Sequence, residues 1–94
     1  MAIAFEWDAV KASANLAKHG VSFGEASTVF QDPLSVTVPD PRHSQSEERF
    51  AILGRSARGR LLAVFHIEGD QRVRIIGARP PTRRERGVYE KKSV

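Results

Sequence analysis

The chain contains no cysteine among its 94 residues. Neither a disulfide framework nor a thiolate metal site is therefore available. Nothing in the composition requires an oxidising compartment, so the sequence predicts a cytoplasmic protein. With 94 residues, of which 40% are hydrophobic, the chain has room for one modest core, and we expect residues 1–94 to form a single domain.

Long hydrophobic runs are also missing. Residues 1–8 lack a basic region followed by an apolar stretch, and no later segment approaches the length needed to span a membrane. These features predict a soluble, unprocessed intracellular protein without a membrane partner.

The sequence lacks the motifs of several common enzyme classes. His19, His43 and His66 are far apart, and none has an acid at a metal-ligand spacing, so we expect no metal site. No glycine-rich loop follows a predicted strand, and no serine lies in a nucleophile-elbow motif. We therefore expect no cofactor and no nucleotide-dependent or serine-hydrolase chemistry.

Charge is present in quantity but divided unevenly. Residues 1–48 carry three Lys/Arg against seven Asp/Glu, a net of −4, whereas residues 49–94 carry twelve against four, a net of +8. A basic half with an acidic counterpart indicates one surface for phosphate and another for a basic or mixed partner. An ordinary solvated basic surface is the alternative that charge alone leaves open.

Hydrophobic spacing predicts two helices near the N-terminus. Asp8 is a suitable N-cap for a first helix that continues to about Lys18 and ends at Gly20. Its predicted buried face consists of Val10, Ala14 and Ala17. Ser22 and Glu25 have the spacing of a capping box, which opens a second helix that ends at about residue 32.

From residue 34 the pattern becomes alternating and β-branched. Four strands are predicted, at residues 34–38, 48–55, 61–68 and 73–79, with connections short enough for hairpins. Thr82 and Glu85 form a second capping box, which opens a last helix to about Lys91. We therefore expect an α+β fold with two N-terminal helices, a four-stranded antiparallel sheet and a C-terminal helix, with the helices packed on one face of the sheet.

The available side chains suit phosphodiester cleavage without a metal. A base would activate a ribose 2′-hydroxyl, cations would stabilise the phosphorane, and an acid would protonate the leaving oxygen. Arg79 ends the last predicted strand, and Arg49 and Arg55 share a parity on theirs, so that they point to one face. Because arginine can hold a phosphate bidentately, these residues are candidates for a phosphate clamp, beside a predicted helix N-terminus at Thr82.

Each candidate also has a structural interpretation. Arg79 could pair with Glu48 or Glu85 as an ordinary ion pair. Arg83 and Arg86 alternate with acids, which suits a solvated helix as well as an RNA surface.

The histidines divide in the same way. His66 lies within an apolar strand, which favours a core position, whereas His43 lies in a polar loop and is the better acid–base candidate. Lys18 and His19 end a helix, where cations complement the helix dipole. Tyr89 could stack on a base or anchor its helix.

A series of short blocks along the chain is similar to one known family. The blocks are Phe5-Glu-Trp-Asp8, Asn15-Leu-Ala-Lys-His-Gly-Val-Ser-Phe23, Glu25-Ala26, Val29-Phe-Gln-Asp-Pro33, Asp40-Pro-Arg-His43, Glu47-Glu-Arg-Phe50, Gly54-Arg-Ser56, Gly59-Arg60, Arg74-Ile-Ile76, Ala78-Arg79, Thr82-Arg-Arg-Glu-Arg86 and Tyr89-Glu90. In this order, over nearly the whole sequence, the chain resembles BrnT-type toxins. It departs from their pattern at Gly77, where relatives carry a serine, and at Pro80, where they carry a lysine.

The resemblance implies a fold like that of RelE-like ribonuclease toxins and a metal-independent endoribonuclease activity that arrests translation. It also implies a BrnA-like ribbon-helix-helix antitoxin as partner, with operator DNA bound only through the toxin–antitoxin complex, in which the toxin could form a dimer. A non-catalytic nucleic-acid-binding or regulatory module is the alternative.

Specific site residues can be assigned on this hypothesis. Arg79 and Arg49 would hold the scissile phosphate, and His43 or Glu48 would transfer protons. Flanking RNA would be bound by Arg60, Arg83 and Arg86, with Lys18 and His19 as further candidates.

Overall fold

A computed structural model describes residues 3–40 and 48–93 of the chain. A short 3-10 turn follows the second helix at Val29–Gln31. In chain order the helices and strands are β1 (Ala4–Glu6), α1 (Ala9–His19), α2 (Phe23–Thr28), β2 (Val36–Pro39), β3 (Arg49–Arg55), β4 (Leu61–Gly69), β5 (Arg72–Arg79) and α3 (Arg83–Ser93). None of the helices within this described part is long and apolar enough to span a membrane.

The sheet has five strands in the order β1-β5-β4-β3-β2, and it is mixed. Strands β2 to β5 form the predicted antiparallel meander, but β1 adds a parallel strand beside β5, where Phe5 lies opposite Val73. The expectation of four antiparallel strands is therefore wrong in this respect. A strand of three residues is too short to show alternation, and its partner lies far along the chain, so local pattern could not reveal it.

The helices cover both faces of the sheet, so the prediction that they share one face is also wrong. Alternate residues of β4 explain the arrangement: Leu62 and Val64 enter the core beneath α1 and α2, whereas Leu61 and Ala63 pack with Tyr89 of α3 on the other side. Because both faces of β4 are apolar, the sheet needs cover on each side.

The first helix begins and ends where predicted but turns a different face to the sheet. Asp8 accepts a hydrogen bond from the backbone N–H of Lys11, and Gly20 adopts the left-handed conformation at the C-terminus. However, Val10 is 77% exposed, and the partly buried residues of α1 are Ala12, Asn15 and His19. The predicted buried face of Val10, Ala14 and Ala17 therefore faces solvent.

Asn15 gives the physical reason for this orientation. Its amide Nδ2 donates to the carbonyl oxygens of Ala78 at 2.8 Å and Val21 at 2.9 Å, and its Oδ1 accepts from the backbone N–H of Ala78 at 3.2 Å. Strand β1 ends opposite Arg74, so the outer edge of β5 beyond that point lacks a neighbouring strand. The Asn15 side chain satisfies the backbone of Ala78 in place of that strand.

The second helix is shorter than predicted, because it passes into the 3-10 turn after Thr28. Ser22 caps it by accepting from the backbone N–H of Glu25 at 3.0 Å. The Glu25 carboxylate turns away from the capping box, because it contacts Ser56, Arg58 and Arg60 instead.

Asp32 follows the 3-10 turn and joins three parts of the fold. Its carboxylate accepts from the backbone N–H groups of Leu34 at 2.9 Å and Arg55 at 2.8 Å, and from the Tyr89 hydroxyl at 2.7 Å. Tyr89 is only 3% exposed, so it is the apolar anchor of α3 rather than an open stacking surface. Burial raises the pKa of Asp32, but the hydrogen bonds outweigh it and leave that pKa below its ordinary value.

Gly54 lies in β3 against this junction, and replacing it with alanine should destabilise the fold. An added Cβ would lie 2.9 Å from Val29 Cγ1 and 3.1 Å from Ser35 Cβ. Both distances are shorter than an ordinary van der Waals contact, so neighbouring atoms would have to move. We expect Gly54→Ala to lower the free energy of unfolding by about 1–3 kcal/mol, measured by urea denaturation. Gly87→Ala is the matched control, since nothing lies within 4 Å of its Cβ, and it should stabilise α3 slightly. Equal effects of the two variants would contradict the packing at Gly54.

Candidate functional site

Helix α3 covers only one end of its side of the sheet. Tyr89 packs on Leu53, Leu61 and Ala63 near the β3–β4 hairpin. The rest of this side carries Arg49, Phe65, Ile67, Arg74, Gly77 and Arg79, which are partly or fully exposed, and we call these six residues the open sheet face.

Cross-strand register places two of its arginines in one row. Arg49 of β3 and Arg74 of β5 are both opposite Ile67 of the intervening β4. Directly opposite residues of an antiparallel pair project to the same face, so the two arginines flank Ile67 at a backbone separation of about 10 Å. Arg55 lies on the same face as Arg49, as parity predicts, but its guanidinium lies 5.8 Å from the centre of the Tyr89 ring.

Arg79 lies at the end of the open sheet face that is next to α3, away from Arg49 and Arg74. Its guanidinium carbon lies 5.0 Å from the centre of the Phe65 ring, while Nη1 and Nη2 donate to the two carboxylate oxygens of Glu85 at 2.7 and 3.0 Å. Nη1 also donates to the carbonyl oxygen of Pro80 at 3.1 Å. The ion pair with Glu85, one of the two structural partners that the sequence suggested, is therefore present.

The ion pair between Arg79 and Glu85 stabilises the charged form of both side chains. The hydrogen bond from Arg79 holds the pKa of Glu85 below its ordinary value, and Glu85 in turn raises the pKa of Arg79, with a smaller contribution from the charge of Asp40. Glu85 also completes the predicted capping box, since its Oε1 accepts from the backbone N–H of Thr82 at 2.8 Å. Arg79 is thereby held at the N-terminus of α3, as expected.

Arg79 retains donors for a further anion. Among the described residues, Nε and the second N–H of Nη2 have no hydrogen-bond acceptor. A phosphate on the open sheet face could take these donors without displacing Glu85. The pair therefore orients Arg79 while leaving part of its guanidinium available.

One of the two acid–base candidates, Glu48, lies where β3 begins. Glu48 is exposed and directly precedes Arg49 in the chain. His43 lies outside the described residues, in the segment between Asp40 and Glu48. The backbone N–H of Asp40 donates to the carbonyl oxygen of Arg49 at 2.8 Å, so both ends of that segment are at this end of the sheet.

The remaining RNA-binding candidates lie elsewhere. Arg83 and Arg86 are exposed on α3, and Arg86 lies 4.0 Å from Glu90 one turn later. Lys18 and His19 end α1, which packs on β5 rather than on the open sheet face.

Arg60 has a structural partner that the sequence did not predict. Its guanidinium contacts the carboxylate of Glu25 through Nε, at 2.9 Å, and through Nη2, which also donates to the carbonyl oxygen of Gly20. Ser56 donates to the same carboxylate at 2.7 Å. These contacts join the β3–β4 turn to α2.

His66 and Arg74 lie on opposite faces of the sheet. His66 is fully buried between Phe30 and Phe50, so its prediction as a core residue is confirmed. Its Nε2 lies 3.0 Å from Glu68, but its Nδ1 is buried without a hydrogen-bond partner among the described residues, so the side chain is only half satisfied. Simple alternation along β5 would place Arg74 and Arg79 on opposite faces, because they are five residues apart. The bulge at residues 75–77 adds one residue and brings both to the same face. The sequence pattern therefore does not predict Arg74 as a site residue. Within residues 3–40 and 48–93, no group of three His, Asp or Glu side chains is arranged to hold a metal ion.

Together, the fold and site define a small α+β protein with arginines along a sheet face that the described residues leave uncovered. Residues 7–85 match the family described as the ribonuclease toxin BrnT of type II toxin-antitoxin systems, so the chain belongs to the BrnT family and its resemblance is confirmed. Membership in a type II toxin-antitoxin family implies an antitoxin partner.

A solved structure shares the fold. The crystal structure at 1.1 Å resolution of the Brucella abortus ribonuclease toxin BrnT is similar with a TM-score of 0.66 and 19% sequence identity, over 86% of this chain and 99% of that chain. Likeness at this identity shows a common fold. A search among curated proteins gives no match.

The Glu25 carboxylate generates a testable pH dependence. Hydrogen bonding to Arg60 is the main reason that folding lowers the pKa of Glu25 from 4.5 to about 2. Its contribution to stability is therefore fully present above pH 4.5 and is lost as the pH falls towards 2. Glu25→Gln should lower the free energy of unfolding by about 2–3 kcal/mol near pH 7 and by less near pH 3, measured by urea denaturation.

Glu6→Gln is the control for this experiment. Glu6 pairs with Arg72 at 3.2 Å, but both side chains are well exposed. Its replacement should change the free energy of unfolding by less than about 1 kcal/mol. A difference between Glu25→Gln and wild type that does not shrink on acidification would contradict the role assigned to Glu25.

Proposed function

We propose that this chain is a metal-independent endoribonuclease toxin with a RelE-like fold that cleaves RNA and inhibits translation. The observation that supports this most directly is the placement of Arg49, Arg74 and Arg79 on one uncovered sheet face. Arginines on a shared surface are suited to the phosphates of a single RNA strand. Membership in a family described as ribonuclease toxins supports the assignment of RNA as substrate.

In the proposed reaction the RNA supplies its own nucleophile. A general base removes the proton of a ribose 2′-hydroxyl, and the oxygen attacks the adjacent phosphorus as the bond from phosphorus to the 5′-oxygen breaks. A general acid protonates the departing oxygen, which leaves a 2′,3′-cyclic phosphate and a 5′-hydroxyl. His43 or Glu48 is proposed to transfer protons, while Arg79 and Arg49 hold the phosphate and stabilise its growing negative charge.

The RNA on either side of the cut needs further contacts. We assign its phosphates to Arg83 and Arg86 on the exposed surface of α3, and to Arg60, Lys18 and His19. Arg60 also stabilises the fold through Glu25, so its replacement should affect stability as well as binding.

The proposed protein partner is a BrnA-like ribbon-helix-helix antitoxin that neutralises the toxin in the cytoplasm. Operator DNA would be bound only through the toxin–antitoxin complex, in which the toxin could be dimeric. The uneven charge of the chain, −4 in residues 1–48 and +8 in residues 49–94, is compatible with both partners, RNA and antitoxin.

One observation favours a second candidate function. Glu85 already neutralises Arg79 through a bidentate contact. This contact reduces the positive charge available at this end of the open sheet face. It suits a non-catalytic nucleic-acid-binding or regulatory module of the same fold.

Replacing Arg79 separates the two functions. We expect Arg79→Ala to slow RNA cleavage in EDTA by about 100- to 1000-fold, because a cation that stabilises the transition state is lost, and to abolish growth arrest when the chain is induced without antitoxin. Arg49→Ala should also slow cleavage. Arg84→Ala is the control, because Arg84 is an exposed neighbour on α3, and it should cleave at close to the wild-type rate.

Because Arg79→Ala leaves Glu85 without its partner, Arg79→Lys should be measured beside it, with thermal unfolding of every variant. Lysine keeps the charge but loses the bidentate geometry, so an intermediate rate is expected. Folded wild-type protein that neither cleaves RNA nor arrests growth would reject the enzyme and favour the binding module. Cleavage by wild type that EDTA abolishes would reject metal independence.

The assignment of proton transfer can be tested by the pH dependence of cleavage. His43→Ala should slow the reaction and remove an inflection between about pH 5 and 8, where histidine titrates. Glu48→Gln should slow it while leaving that inflection in place. If both variants retain the wild-type rate and profile, proton transfer belongs to other groups.

A further inference from the structure

A second cationic surface lies where α1 packs against β5. A groove of about 260 Å³ is lined there by Lys11, Ala14, Asn15, Lys18, His19 and Ile76. No acidic residue contributes to its lining. The groove therefore presents two lysines and a histidine around an opening that suits an anion.

The groove results from the way in which β5 is built. Strand β1 ends opposite Arg74, so no strand covers β5 beyond that point, and Asn15 holds α1 against Ala78 instead. In the segment of β5 between Arg74 and Ala78, Ile75 pairs with His66 and Gly77 pairs with Phe65. Ile76 is therefore the extra residue of a bulge. Ile76 accordingly lines the groove, while Gly77 and Arg79 belong to the open sheet face.

The stability of α1 does not account for all the positive charge in the groove. Lys18 and His19 lie in the last turn, where cations are favourable, but Lys11 lies in the first turn, where a positive charge opposes the helix dipole. Both lysines are exposed, and neither has a carboxylate within 4 Å among the residues that the structure describes. Their ammonium groups are therefore available to a ligand.

The groove and the open sheet face meet at one short segment of β5. Ile76 and Arg79 are three residues apart, or about 10 Å along the strand. Gly77 lies between them without a side chain, and among the described residues the position of its missing Cβ has Phe65 nearest, at 3.9 Å. Glycine at this position therefore adds no side chain between the two surfaces, and a strand of RNA could pass from one to the other there.

We propose that this groove is a second RNA subsite, in which Lys11 and Lys18 bind backbone phosphates of nucleotides that flank the cut. The proposal rests on the proposed function, because it assumes that RNA lies on the open sheet face. It assigns an RNA-binding role to Lys11. It also explains how Lys18 and His19 could contact the same RNA strand as Arg49, although they lie on another side of β5. The preferred substrate is then a single strand long enough to reach both surfaces.

The test compares binding of long and short RNA by fluorescence anisotropy. Probes in which every 2′-hydroxyl is methylated cannot be cleaved by the proposed reaction, and they should have about four and about twelve nucleotides, within the range of single-strand binding sites. The double variant Lys11→Gln/Lys18→Gln should bind the longer probe about tenfold more weakly than wild type. The slope of log affinity against log salt should become smaller by about 1.4, and binding of the shorter probe should change little.

Lys91→Gln is the matched control, since Lys91 is an exposed lysine on α3 outside both surfaces, and it should bind both probes as wild type does. If the double variant behaves like this control while Arg79→Ala loses affinity, the groove is not an RNA subsite and the proposed function stands. If wild type neither binds nor cleaves RNA, the proposed function fails together with the subsite. Unchanged RNA binding with weakened antitoxin binding by the double variant would overturn the proposal and assign the groove to the antitoxin.

Discussion

The outer edge of β5 is completed by two different parts of the chain. Its backbone groups require partners once they are removed from water. Strand β1 supplies them for Arg72–Arg74, and the Asn15 side chain supplies them at Ala78. This division brings α1 against β5 with Asn15 inward, which explains why an apparently apolar stripe that includes Val10 faces solvent.

The same strand connects the fold to its proposed chemistry. The bulge in β5 lets neighbouring residues serve different surfaces, so that Arg79 reaches the open sheet face while Ile76 lines the groove beside α1. Helix α3 completes the arrangement, because Glu85 orients the Arg79 guanidinium and Tyr89 secures the helix through Asp32. The position of Arg79 is therefore set by strand, helix and ion pair together.

Two arginine–carboxylate pairs in this protein have different consequences. Glu25 is nearly inaccessible and depends on Arg60, so that pair mainly joins α2 to the β3–β4 turn. The Arg79–Glu85 pair lies at the margin of the open sheet face, with both side chains about one quarter exposed. A guanidinium in that position can be held in place and still meet a phosphate.

Local features could be predicted from sequence because they depend on neighbouring residues. The cap at Asp8, the glycine end at Gly20, the capping box of Thr82 with Glu85 and the common face of Arg49 and Arg55 are all confirmed. Each depends on side-chain hydrogen bonding within a turn, on the conformational freedom of glycine, or on the two-residue period of a strand. The blocks that identify the BrnT family could likewise be recognised without coordinates.

Contacts between residues that are distant in sequence depend on the tertiary structure. The parallel pairing of β1, the face that α1 turns inward, the choice of Arg60 as partner of Glu25, and the row formed by Arg49 and Arg74 all depend on which backbone and charged groups meet across the fold. A sequence window contains no information about such partners, because burial and hydrogen-bond satisfaction are determined by packing of the whole chain. Local sequence therefore specifies the individual elements and the available side chains, whereas packing of the whole chain specifies which of those side chains share a surface.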